Sequence, residues 1–168
     1  MSRLIKRAGG AELKGNKILA VLVLLSGIGS MVAGGSFIAM GLIKNHYIVN
    51  AMRMEKVTLG DIHAPGTADT IIDSASTAQA AGDTIRGHRR NIAPTYKDLM
   101  AGGKYDPTNP KHLTYAQAMN MENYLYLAVA AFGLIQMALA AGAALIIIGG
   151  GLFLTGILQW RMNEPALP

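Results

Sequence analysis

Two long stretches of the chain contain no charged residue. The first runs from Ile18 to Ile43, and its 26 residues would form a helix of about 39 Å, longer than the ~30 Å hydrocarbon layer of a membrane. The second runs from Asn123 to Trp160, and its 38 residues would form a helix of about 57 Å, too long to lie wholly in lipid. The pattern therefore predicts an all-α membrane protein, with two transmembrane helices in an antiparallel hairpin and a small extracytoplasmic helical cap.

These stretches divide the chain into five predicted parts. They are a basic cytoplasmic N-terminus (1–17), transmembrane helix 1 (18–43), an extracytoplasmic helical segment (44–122), a helix containing transmembrane helix 2 (123–160), and a cytoplasmic tail (161–168). Five of the first 17 residues are Lys or Arg and one is acidic, which predicts a cytoplasmic N-terminus because positive charge is retained inside. The first apolar run exceeds the ~7–15 residues of a signal-peptide core, so we expect an uncleaved anchor in the bacterial inner membrane.

Aromatic and basic side chains mark the predicted membrane boundaries, since amphipathic rings and Lys or Arg collect at the two interfaces. The predicted anchors are Lys17 and Tyr47 around the first span, Tyr124 and Tyr126 at the outer end of the second, and Trp160 and Arg161 at its inner end.

Small residues recur along both spans, and the residues that we expect at helix contacts are Ser26, Ser30, Gly34, Ala138 and Gly142. In lipid, helices associate through close packing and modest hydrogen bonds rather than through the hydrophobic effect. Gln136 is the strongly polar side chain inside the second run, and it bonds across a subunit contact, bonds to a nearby carbonyl, or lies close to the outer interface. Small residues cover more than one side of each span. A single hairpin uses only one side of each helix, so the additional sides covered by small residues favour a larger assembly.

The segment between the spans is predicted to be helical. The first helix continues through Val57 and ends at Gly60, a second helix covers about 68–92, and a short one covers about 95–101. Thr114 and Gln117 have the spacing of a capping box, which would begin the helix that runs into the second span.

Composition and charge exclude several kinds of chemistry. The chain has no cysteine, so it has neither disulfides nor thiolate metal sites. Neither span carries a charged residue, whereas pumps and proton relays need one. His46, His63, His88 and His112 match no metal motif, so we predict no catalytic residues, cofactor or metal. The alternatives are an outer metal site of His63, His88, His112 and an outer Asp, and ligation by His46 of a chlorin or haem iron in a neighbouring cofactor protein.

A basic patch outside the membrane is formed by Arg86, Arg89 and Arg90, with His88 between them. It is interpreted as a solvated face or as a docking site for an acidic partner or lipid headgroups. Nucleic-acid binding is not expected, because the basic residues form no face with interleaved aromatics.

Several short strings resemble a family of small two-span membrane proteins, common in actinobacteria, that are often labelled aromatic ring-opening dioxygenases. The strings are Glu55-Lys56-Val57, Ile85-x-x-His88, Tyr96 to Leu99, Asp106-Pro107, Thr114 to Ala118 and Val129-x-x-Phe132-Gly133. The resemblance implies two spans with an exported helical loop and supplies no catalytic residues. The region between Gly60 and Ala81 departs from the family pattern.

Three functions compete at this point. The leading hypothesis is a non-catalytic accessory subunit of a larger membrane complex, respiratory, photosynthetic or transport-related, whose partners are other integral membrane subunits and membrane lipids. The alternatives are a homo-oligomeric pore lined by serine hydroxyls and Gln136, and a metal-dependent enzyme with an outer histidine site.

Overall fold

The computed structural model describes the backbone of residues 2–162 and the side chains of residues 16–162. The described residues form four α-helices and one 3₁₀ turn, without strands: α1 (Ser2–Glu55), the turn Gly60–Ile62, α2 (Ala75–Ile92), α3 (Tyr96–Met100) and α4 (Pro110–Met162). Two helical stretches, Asn16–Glu55 and Pro110–Met162, are long and apolar enough to cross a membrane. The predicted all-helical architecture with two long apolar helices is thus confirmed. The basic side chains before residue 16 and the tail beyond residue 162 lie outside the described residues.

The chain divides into two compact units. The first unit comprises Met1–Gly41 and Met137–Pro168, and the second comprises Leu42–Gln136.

Helix α1 ends at Glu55, two residues earlier than predicted. Lys56 adopts a left-handed conformation with φ of 54°, which stops the helix before the glycine that we expected to end it. Short antiparallel pairing follows, since Leu59 N–H donates to Thr70 O at 2.9 Å and Ile72 N–H donates to Val57 O at 3.0 Å. This pairing was not predicted, because two or three residues on each side are too few to show strand alternation in the sequence.

Helix α2 begins at Ala75 rather than near residue 68, because Ser74 caps it. The Ser74 side chain accepts a hydrogen bond from Thr77 N–H, and the Thr77 hydroxyl accepts one from Ser74 N–H. This reciprocal arrangement is a capping box with threonine in place of the usual Glu or Gln. It fixes where α2 starts.

Helix α4 begins at Pro110, four residues before the predicted start. Proline suits the first helical position because its missing N–H would have no partner there, and the Asn109 side chain accepts from Lys111 N–H at 2.9 Å. The hydroxyl of Thr114 instead donates to Pro110 O at 2.8 Å, so Thr114 lies inside the helix and does not cap it.

The core of the second unit consists of two apolar clusters. One contains Leu59, Ile72, Ala78 and Ala81, which joins the short paired segment to α2. The other contains Ala93, Leu99 and the fully buried Tyr115, which joins α3 to the first turns of α4.

Candidate functional site

Glycines form the contact between α1 and α4 in the first unit. A Cβ placed on Gly34 would lie 2.6 Å from Gly142 O, and one on Gly142 would lie 2.7 Å from Gly34 O. Gly27 and Gly149 show the same reciprocity, at 2.8 and 2.7 Å. The two backbones therefore touch, and no side chain larger than hydrogen fits between them. We call Gly27, Gly34, Gly142, Gly149 and Gly156 the glycine seam.

The glycine seam repeats every seven residues on both helices. Gly156 follows Gly149 on α4, and a Cβ on it would lie 2.6 Å from Leu24 Cγ. As residue numbers rise along α1, partner numbers fall along α4: Leu24 meets Gly156, and Gly34 meets Gly142. Seven residues of an α-helix return to within about 20° of the same direction, which keeps every glycine of the repeat on one side.

The predicted packing residues occupy different environments. Gly34 and Gly142 lie in the glycine seam, whereas Ser26 is exposed and Ser30 and Ala138 are half-buried. Ser26 takes no part in the contact between α1 and α4, because each four-residue step turns about 40° around a helix with 3.6 residues per turn; its place at a contact with another helix stays a prediction. Gly27, one residue on, makes the close contact instead. Gln136 belongs to the second unit, where its side chain is exposed.

A second set of small residues on α1 is left open. Ser26, Gly29, Ala33 and Ser36 are all exposed, and a Cβ on Gly29 would have nothing within 4 Å. Their steps of three and four residues place them along one side of the helix. We call these four residues the open stripe.

The predicted interface anchors fall into two groups. In the first unit, Lys17 Nζ lies 5.9 Å from the centre of the Trp160 ring, and Arg161 is exposed. In the second unit, Tyr47 and Tyr124 are largely exposed. Tyr126 differs from them, since its hydroxyl donates to Asp83 Oδ1 at 2.6 Å and Arg86 lies 4.6 Å from its ring centre. Tyr126 therefore bonds within the protein.

The predicted basic patch is mostly an internal ion-pair cluster. Arg86 Nε donates to Glu122 Oε1 at 3.0 Å, and Arg89 Nε donates to Oε2 at 2.7 Å. Arg89 also donates to the Tyr115 hydroxyl. Glu122 is only 7% exposed, so the interpretation of Arg86 and Arg89 as free docking residues is wrong. Arg90 remains exposed.

The pKa values of Glu122, Arg86 and Arg89, which form the ion-pair cluster outside the proposed spans, are shifted. Burial raises the pKa of Glu122, but the hydrogen bonds from Arg89 and Arg86 outweigh it and leave that pKa below its ordinary value. The same hydrogen bonds raise the pKa of both arginines. The hydroxyl of Tyr126, followed by the amide of Gln79, lowers the pKa of Asp83. These shifts favour the charged forms of Glu122, Asp83 and both arginines at neutral pH.

The second unit also contains an open cavity of about 680 Å³, which we call the apolar groove. Its volume lies within the range of ~300–1,000 Å³ that is usual for small-molecule sites. Most of its walls are aliphatic or aromatic, and three polar side chains lie among them. The lining residues are Met52, Glu55, Val57, Ile62, Ile72, Gln117, Asn120, Met121, Tyr124, Leu125 and Ala128. The groove was not predicted from the sequence, because the α4 residues that line it resemble the rest of a largely apolar helix.

Two of the four histidines have local hydrogen-bond partners, and the other two are exposed. His46 Nε2 lies 2.9 Å from Asn50 Nδ2, and His112 Nδ1 accepts from Asp106 N–H at 3.0 Å. His63 and His88 are exposed. Within the described part of the chain, no group of three His, Asp or Glu side chains could hold a metal ion.

Comparison of the chain with protein-family models, with curated proteins and with solved structures found no match. The resemblance to two-span actinobacterial proteins therefore stays a prediction.

Proposed function

We propose that the protein is an integral membrane protein whose α1 and α4 cross the bilayer as an antiparallel hairpin. Both helices expose most of their apolar surface. In the most apolar 18-residue stretch of α1 only 17% is buried, and in that of α4 only 11%. The core helix of a soluble protein would be mostly covered. The opposed order of partners along the glycine seam supports the antiparallel arrangement. The basic N-terminus favours cytoplasmic termini and an extracytoplasmic 44–122 segment in the inner membrane.

The cysteine-free chain offers a direct test of this topology. We expect a single cysteine at exposed Asp69 to react with a membrane-impermeant maleimide on intact cells or spheroplasts. One at Met162, which is 76% exposed, should react only after permeabilisation. Labelling of both positions before permeabilisation would contradict the hairpin.

Within that membrane, the function proposed is a non-catalytic accessory subunit of a larger complex. The open stripe carries this proposal. The glycine seam uses one side of α1, and the open stripe leaves a second smooth side onto which another helix can pack closely, as small residues permit. The absence of charge from Ile18–Ile43 and from Asn123–Trp160 argues against a transport or proton path.

A bulky residue in the open stripe should separate the protein from its partners. We expect Ala33→Phe to lose stoichiometric companions during affinity purification in mild detergent, whereas the wild-type chain retains them. Ile28→Phe is the matched control, because Ile28 is exposed but lies about 140° around the helix from Ala33. A wild-type chain that purifies alone, or companions that both variants retain equally, would refute the proposal.

A further inference from the structure

The two helical walls of the apolar groove share one gradient of polarity. On α4, Gln117 and Asn120 precede Leu125 and Ala128, so this wall becomes apolar toward the charge-free run. On α1, Met52 is nearer the other charge-free run and Glu55 is farther from it. Both walls therefore place polar groups away from the proposed spans. An amphiphile with its head outward and its chain toward the bilayer matches this gradient.

The dimensions of the groove suit one hydrocarbon chain. From Gln117 to Ala128, α4 rises about 16 Å at ~1.5 Å per residue. One leaflet of a ~30 Å hydrocarbon layer is about 15 Å deep, which is the length of one acyl chain. Met121 and Tyr124 form an exposed edge of the groove, and Tyr124 lies where the sequence predicts the outer interface. The groove therefore rises from the membrane surface, and a lipid that enters it past this edge is drawn partly out of the outer leaflet.

The charge of the groove selects the headgroup. Glu55 is the charged residue among the lining side chains, and it forms no salt bridge with another described residue. The neighbouring Arg53 is already paired, with its Nε 2.6 Å from Asp73 Oδ2. Gln117 and Asn120 line the same groove, whereas Lys56, the residue after Glu55, is exposed and lies outside the lining. An exposed carboxylate in this lining complements an ammonium group better than an anionic headgroup.

We infer that the apolar groove binds one acyl chain of an ammonium-bearing phospholipid, with the ammonium group at Glu55 and the chain along Met121, Leu125 and Ala128. The inference rests on the proposed membrane insertion and adds a specific lipid site to it.

Native mass spectrometry of the full chain released from nanodiscs tests this site. The discs contain equal amounts of phosphatidylethanolamine and phosphatidylglycerol. We expect one retained phosphatidylethanolamine on the wild-type chain. Met121→Glu should lower that adduct at least tenfold, because it places a carboxylate in the path of the chain. Leu113→Glu is the matched control on α4, since Leu113 is 43% exposed against 48% for Met121 and lies outside the groove.

A second pair of variants tests the headgroup. Glu55→Gln should keep a bound lipid and lose the preference for phosphatidylethanolamine, whereas Asp69→Asn at an exposed site should keep that preference. Preferential retention of phosphatidylglycerol by the wild-type chain, equal loss from Met121→Glu and Leu113→Glu, or a chain in nanodiscs that retains no lipid would each overturn the inference. A chain that fails to enter nanodiscs would instead contradict the proposed insertion.

Discussion

Adding one methyl group to the glycine seam should separate α1 from α4. In Gly34→Ala, the new Cβ would lie 2.6 Å from Gly142 O and 3.0 Å from Ile146 N, whereas ordinary contact begins at 3.4 Å. Both atoms belong to the α4 backbone, so no side chain can rotate away and the helices must move apart by about 0.8 Å. A gap of that size forfeits roughly a quarter to a half of the dispersion energy of neighbouring contacts. Overpacking of this kind costs about 1–3 kcal/mol.

Gly35→Ala is the matched control for this change. It adds the same methyl group one residue later, where nothing lies within 4 Å. Both variants gain the same backbone entropy term, about 0.5–1 kcal/mol in favour of the helix, so this term cancels when they are compared. The difference in folding free energy between the two variants therefore measures the close contact alone. We expect the folding equilibrium constant of Gly34→Ala to be roughly 5- to 150-fold lower than that of Gly35→Ala.

The chain contains one tryptophan, which provides the assay. Trp160 faces Lys17 across the two helices, so separation of α1 from α4 changes its fluorescence. Titration of the protein in mixed micelles with increasing sodium dodecyl sulfate should show an earlier midpoint for Gly34→Ala than for Gly35→Ala. Coincident midpoints would refute the conclusion that backbone contact at the glycine seam holds the helices together.

Other predictions concern the second unit. Glu122→Gln should destabilise it by roughly 3 kcal/mol, because two arginines lose their buried partner, whereas Asp69→Asn should have almost no effect; thermal unfolding followed by circular dichroism measures both. The lowered pKa of Glu122 means that its stabilisation is complete above the ordinary glutamate pKa of ~4.3 and is lost as pH falls through the folded-state value. If the stability of Glu122→Gln fell with pH as steeply as that of the wild-type chain, this prediction would be contradicted. Ser74→Ala should cost about 1 kcal/mol and speed amide hydrogen exchange in the first turn of α2; unchanged exchange would argue against the capping box. Arg89→Ala should lower the melting temperature and Arg90→Ala should not, and equal melting temperatures would contradict the assignment of Arg89 to the ion-pair cluster.

The sequence predicted the helices better than their contacts. Long charge-free runs identify α1 and α4 because length and hydropathy are local properties. Gly27 rather than Ser26 contacts α4 because glycines recur every seven residues on both helices. The four-residue spacing of small residues within α1 alone does not show that repeat.

The ion-pair cluster shows the same limit for charged residues. Arg86 and Arg89 are three residues apart and resemble a surface patch, whereas Glu122 lies far along the chain. One signal was available in the sequence: Glu122 is the only acidic residue between Pro110 and Met162, and an isolated carboxylate in an apolar helix needs a cationic partner. Which arginines supply it depends on how α2 packs against α4, which is a tertiary property that the local sequence does not show.

The spacing of the glycine seam also determines how α1 and α4 can slide. Met31 Cγ lies 2.8 Å from the position of a Cβ on Gly149, and Ile38 Cγ1 lies 2.7 Å from that of a Cβ on Gly142. These side chains flank the glycines and oppose a shift of one helical turn, about 5.4 Å. The next register that pairs glycine with glycine lies seven residues away, about 10.5 Å along the axis. Glycine meets glycine again only after a shift of two turns, so the glycine seam opposes short axial shifts of α1 along α4 more than it opposes a common tilt of both helices.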